Sequence, residues 1–145
     1  MHAWLCDNPT GIDALNWKEL PTPQPGPGEV LVEIKAASLN FPDLLIVQNK
    51  YQMKPKLPFV PGSEYAGTVS AVGDGVRQLQ VGQPVACLAG TGGFGTHTIT
   101  KAHLCMPLPK GFPFVDAAAF IMTYATSYHA LIDRGALQAG ETVLV

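Results

Sequence analysis

Cysteine, histidine and carboxylate side chains are the raw material of nucleophiles and metal centres, and their spacing here favours neither. Cys6, Cys87 and Cys105 are widely separated, and none has a basic residue or histidine immediately beside it to stabilise a thiolate. His97, His103 and Cys105 form a loose group, with His103 and Cys105 spaced to share one face of a strand. No Cys-x-x-Cys accompanies them, so an ordinary surface or core role is the better reading. Glu64 stands alone after Gly62-Ser63. A catalytic zinc needs three protein ligands and a structural one four, and a single glutamate cannot serve. Residues 90–95 spell Gly-x-Gly-x-x-Gly, but no βαβ unit surrounds them, and they read as a turn rather than a phosphate cradle. The groups left are mild ones. Asn40 has an amide that donates without titrating, and it also suits the cap of a helix. Asp43 reads as the dipole-compatible acid of that helix's first turn.

Short strands must position these residues. Val30, Val32, Ile34 and Ala36 alternate with Leu31, Glu33 and Lys35, a period of two that predicts a strand with one face on a core. A second strand is expected over 65–72, ending in the reversal Gly73-Asp74-Gly75. A third covers 84–88, with its proline first or at an edge, and a fourth covers 97–106. A short helix is predicted over 41–48, where Pro42 is tolerated because first-turn amides lack intrahelical acceptors. A longer helix follows Asp116 as its cap and runs to Arg134-Gly135. Its stripe of Phe120, Tyr124 and Tyr128 reads as core. Thr142-Val143-Leu144-Val145 then reads as a buried strand. The change from strand-rich to helix-then-strand near Val115 predicts a domain boundary, and a chain ending on so apolar a strand reads as truncated.

Composition excludes several partners. With 145 residues, 47% hydrophobic and 14% charged, the chain can enclose one sizeable core. Its net charge of −2 and scattered basic residues offer no stripe for nucleic acid or acidic membranes. The apolar run 117–122 is too short to cross a bilayer, the N-terminus lacks a secretory pattern, and an odd number of cysteines suits a reducing compartment. A cytoplasmic protein is expected. The 15 glycines and 13 prolines, spread between short apolar runs, favour a barrel or sandwich.

The order Glu29-Val30-Leu31-Val32, Asn40-Phe41-Pro42-Asp43, Pro61-Gly62-Ser63-Glu64, Ala66-Gly67-Thr68-Val69, Val81-Gly82-Gln83-Pro84-Val85 and Ala139-Gly140-Glu141-Thr142-Val143-Leu144-Val145 resembles the medium-chain dehydrogenase/reductase superfamily. Within it the chain is similar to the zinc-free quinone oxidoreductase, or zeta-crystallin-like, branch. The resemblance implies a mainly β fold: a GroES-like, partly open β-barrel with a short helix over 1–115, the catalytic and substrate domain. Over 116–145 it implies a linking helix and the first strand of an otherwise absent dinucleotide-binding domain. It also implies a glycine-rich phosphate loop directly after Val145, further barrel strands from the far end of the chain, and a homodimeric full-length protein. Without that loop this fragment is expected to bind cofactor poorly and to be inactive alone.

Zinc-bearing relatives place a cysteine near position 40, a histidine where Ser63 stands and a four-cysteine loop near position 90. The resemblance therefore implies no zinc. Without a Lewis acid, reduction of a quinone or enone is the expected chemistry, with NADPH or NADH giving hydride and hydrogen-bond donors steadying the developing oxyanion. By resemblance Asn40 faces nicotinamide and substrate, and its competing role is the helix cap. Tyr51 faces the cleft, where a phenol can stack and donate, and its competing role is an exposed loop tyrosine. Thr123 contacts the nicotinamide half of the cofactor, and Glu64 sits behind the site. A stand-alone GroES-like binding or assembly module is the alternative, and the strand expected at 142–145 speaks against it.

Overall fold

The computed structural model describes residues 1–145. Five strands form one antiparallel sheet. They are β3 (Glu29–Ala37), β4 (Glu64–Val72), β5 (Pro84–Leu88), β6 (His97–Lys101) and β7 (Cys105–Pro107), in the order β6-β3-β4-β5-β7. The hairpin β1 (His2–Cys6) and β2 (Leu15–Glu19) pairs with itself and touches the rest through bridges at Ala3–Gly95 and Cys6–Phe59. The barrel is open, as the resemblance implied.

The strand expected over 97–106 is two strands on opposite edges of the sheet. Ala102–Leu104 form a 3-10 turn between them, and the Ala102 N–H donates to Gly28 O at 3.0 Å. Four strand spacings in a flat sheet would span about 19 Å. A turn of three such residues advances only about 6 Å. The two edges can be joined by so short a turn only if the sheet curls, and inside the curl lies the main core of Val30, Val32, Tyr65, Val69, Val85 and Cys87. Gly67 is where β4 crosses closest to β3. A β-carbon there would lie 2.1 Å from Glu33 O, so only glycine permits the pairing.

Helix α1 (Phe41–Val47) matches the expected 41–48 segment within a residue. Helix α2 (Phe114–Ala118) spans the expected boundary, starts two residues before Asp116 and is capped by Pro113, so Asp116 sits in its first turn. Its Ala117 and Ala118 press on Ala66 and Ala86, where small side chains on both partners let helix and sheet approach. The single long helix is not realised as such. Beyond α2 the chain winds through wide π-type turns at Ile121–Ala125 and His129–Arg134, with a short α3 (Thr126–Tyr128) between them. Its stripe is not core in this chain, since Phe120, Tyr124 and Tyr128 are 48%, 64% and 62% exposed. No partner strand lies along 142–145, and these residues are neither strand nor buried, contrary to the pattern-based expectation. An apolar β-branched run becomes a strand only when a ladder satisfies its backbone. No helix is long and apolar enough to cross a membrane.

Candidate functional site

Because Ala37 pairs with Tyr65, the segment leaving β3 and the segment entering β4 emerge side by side. The Ser38 N–H extends that ladder to Glu64 O at 3.1 Å. Asn40, in extended conformation, ends the exit segment and opens α1 with Pro42 in its first turn. Asn40 and Asp43 form a capping box, in which Asp43 Oδ2 accepts the Asn40 N–H at 2.9 Å.

Asp43 is buried and does more than cap. Its Oδ1 accepts the Ser63 N–H at 2.8 Å and also the Ser63 hydroxyl in a short contact. Three donors and no cation thus hold the carboxylate and fasten the start of α1 to the loop before β4. That loop is fixed from its other side by Phe94 N–H to Pro61 O and Gly93 N–H to Gly62 O, each 2.9 Å. Gly62, at φ 100°, lies so close to Phe94 that a β-carbon would stand 2.7 Å from the ring.

Glu64 is fully enclosed and joins three elements. Its Oε2 accepts the Ser38 hydroxyl at 2.9 Å and the Asn40 side-chain amide at 3.4 Å, while Oε1 accepts the Met122 N–H at 2.9 Å. That backbone donor is available because Met122 lies in the opening turn of a new helical stretch, where amides lack partners along the helix. The Asn40 amide also donates to Ser38 Oγ at 2.8 Å. A relay therefore runs from Asn40 through Ser38 to Glu64. It fixes the plane of the asparagine and leaves one amide hydrogen in only a long contact.

Thr123 directly follows Met122, so the Glu64 bond brings it to the edge of this network. Its exposed hydroxyl donates to Ala119 O at 2.7 Å, which leaves its oxygen free to accept. Tyr51 is placed otherwise. It is partly buried against Cys6, Ile46 and Phe59 and takes no part in the Asn40–Glu64 relay. The structure thus joins Asn40, Glu64 and the Thr123 turn, and leaves Tyr51 outside the hydrogen-bonded group. Ser38, Ser63 and the Met122 amide carried no sequence expectation. Ser38, two residues before Asn40 in an extended segment, has a spacing that could have drawn notice, and Ser63 stands at the position where zinc-bearing relatives carry a histidine.

A cavity of about 700 Å³ lies elsewhere. Trp4, Trp17, Leu15, Leu39 and Leu44 line it, and of the polar network only Asp43 reaches it. A mostly apolar hollow, with Lys35 and Thr96 as its other polar side chains, is less suited to stabilising charge than the polar network, which is the better candidate. No three His, Cys, Asp or Glu side chains meet closely enough to hold a metal ion.

The family model for the alcohol dehydrogenase GroES-like domain matches residues 26–110. The human synaptic vesicle membrane protein VAT-1 homolog is 37% identical over 137 residues, which cover 93% of this chain and 35% of that protein. The crystal structure of the human VAT-1 homolog-like protein superposes with a TM-score of 0.91 at 31% identity, over 97% of this chain and 45% of that one. The quinone oxidoreductase of Thermus thermophilus, solved alone and with NADPH, superposes with a TM-score of 0.85 at 33% identity, over 100% of this chain and 44% of its own. The chain therefore spans less than half the length of these relatives.

Proposed function

Because the chain belongs to the alcohol dehydrogenase GroES-like domain family of the medium-chain dehydrogenase/reductase superfamily, we propose that it is part of an NAD(P)H-dependent reductase that passes hydride to a quinone or enone without zinc. Residues 1–115 are the catalytic and substrate part, and residues 116–145 lead into the dinucleotide-binding half. The observation that carries this reading is the relay Asn40–Ser38–Glu64–Met122, which holds a neutral amide donor rigidly between barrel and helix.

The residues fit the uncharged nicotinamide end of a dinucleotide. The free oxygen of Thr123 can accept from a carboxamide N–H, and the half-buried Asn40 amide can donate to a carbonyl. Residues 90–95 lie in turns between β5 and β6 and open no helix, so they are no cradle for the pyrophosphate. When bound, the nicotinamide supplies the hydride. Asn40 donates to the oxygen that gains charge as the conjugated carbonyl is reduced, and because Ser38 and Glu64 already hold it, little reorganisation is needed then. Tyr51 stacks on the flat substrate from the far end of α1, and a proton from water completes the reduction. A quinone or enone carbon is electron-poor without a Lewis acid, which is why a lone Glu64 in place of a ligand set suffices. A cytoplasmic homodimer completes the reading.

The test uses the full-length protein, with NADPH oxidation followed in the presence of 1,4-benzoquinone. Turnover without stoichiometric zinc is expected, and Asn40→Ala should lower kcat/KM by about 10²-fold, the usual loss for one oxyanion donor. Metal analysis near one zinc per chain, or no reduction of quinone or enone with either nicotinamide, would overturn it.

A further inference from the structure

Cys87 and Cys105 are far apart in sequence and meet in the sheet. Strand β7 lies antiparallel to β5 with Cys105 directly opposite Cys87. Their sulfurs are 3.4 Å apart, with the Cys87 thiol donating to Cys105 Sγ and the Cys105 thiol donating to Lys101 O at 3.8 Å. Residues opposite each other on antiparallel strands have Cα atoms about 4.5–5.5 Å apart, inside the range of about 4.4–6.8 Å that disulfides accept. Joining the sulfurs therefore needs side-chain rotation and little backbone movement. We propose that Cys87 and Cys105 form a reversible disulfide, a redox-modification site within the sheet that staples the edge strand β7 to β5.

The position of the pair determines which thiol reacts first. Cys87 is fully enclosed in β5, an interior strand of the sheet, whereas Cys105 is 7% exposed and starts a three-residue edge strand with nothing paired outside it. Such a short edge opens locally more readily than the sheet interior. The hydrogen bond from Cys87 lowers the pKa of the Cys105 thiol, while that bond and burial raise the pKa of Cys87. With oxidised glutathione as oxidant, Cys105 gives up its proton and its thiolate attacks one glutathione sulfur, displacing one glutathione thiolate. Cys87 then gives up its proton and attacks Cys105 Sγ, breaking the mixed disulfide and releasing the second glutathione. The two cysteines lose two electrons, the oxidant gains them, and the two protons end on the released thiols. Cys6 lies in a different cluster, against Ile46 and Phe59, and serves as an internal control.

The experiment equilibrates the chain in glutathione buffers of graded ratio, quenches with acid, alkylates in denaturant and maps the peptides. The same chain oxidised in denaturant shows that the buffers are competent. The expected product retains one of the three thiols, that of Cys6, and contains a Cys87–Cys105 peptide pair that dithiothreitol reverses. Its Tm should be about 5 °C or more above that of the reduced chain, because the bond closes a loop in the unfolded state. Cys87→Ser should stop at glutathione on Cys105. Wild-type chain that keeps all three thiols, joins Cys6 instead, or carries only glutathione would overturn the proposal, and this reading stands even if the variant fails to fold.

Discussion

The five-stranded sheet and the helical stretch 119–134 are both rich in apolar side chains and treat them in opposite ways. In the sheet, Val30, Val32, Tyr65 and Val85 are fully enclosed, whereas Phe120, Tyr124 and Tyr128 lie open along the helical turns. A strand's ladder partners fix its place in the sheet, so its apolar residues are covered, Leu31 between Val30 and Val32 included. A helix satisfies its own backbone, so its apolar stripe names a face without naming what covers it. Helix α2 shows the difference within a few residues. Ala117 and Ala118 have Ala66 and Ala86 to rest on and are buried, and the apolar residues just beyond, apart from Ile121, have less to cover them.

The largest effect is expected where the sheet is tightest. Gly67→Ala places a β-carbon against Glu33 O, a backbone atom that no rotamer change can move. A loss of about 3 kcal/mol or more is expected, read as a lower urea midpoint, or else a failure to fold. A near-neutral result would mean that β3 and β4 are looser than their register implies, and the contrast with the helical stretch would weaken.

Glu64 tests the seam between the two regions, because its bond to Met122 is the only hydrogen bond from residues 119–145 to the sheet. Glu64→Ala strips acceptors from the Ser38 hydroxyl, the Asn40 amide and the Met122 N–H, and should cost about 2 kcal/mol. Glu64→Gln keeps one oxygen and should cost about half as much. Amide exchange at Met122 should accelerate in Glu64→Ala while the amides of β4 remain protected. Equal acceleration in both would show that sheet and helix open as one unit.

Features carried by local chemistry were legible in the sequence. The alternation over 30–36, the proline-led strand at 84–88, and the Asn40-Phe41-Pro42-Asp43 start of α1 all follow from neighbours a few residues apart, and the structure places them within a residue or so. The fold family was legible because ordered motifs cover most of the chain. Long-range partners were not. Asp43 finds Ser63 twenty residues away, and Cys87 meets Cys105 only because the sheet curls its edges together. The same curl divided the expected 97–106 strand, since nothing in Ala102-His103-Leu104 by itself announces a turn. Residues 142–145 had the composition of a strand without a neighbour to pair with. Asn40 illustrates the middle ground: its place as a cap was readable, and its bond to Ser38 required coordinates.

The smallest effect is expected on the open helical face. Tyr128 is 62% exposed, makes no side-chain hydrogen bond and stacks on no other ring, whereas Phe120 stacks on Tyr124 at 4.6 Å. Tyrosine and serine have similar helix propensities, so Tyr128→Ser changes neither packing nor backbone preference much in this chain, and stability should stay within about 0.5 kcal/mol of wild type. Removing an exposed ring also reduces the apolar area through which copies can associate, so sedimentation at high concentration should show less self-association, not more. A loss above about 1 kcal/mol at low concentration would mean that this stripe is covered in the folded chain. The helical stretch would then share the sheet's enclosed core, and the division between the two regions would fail.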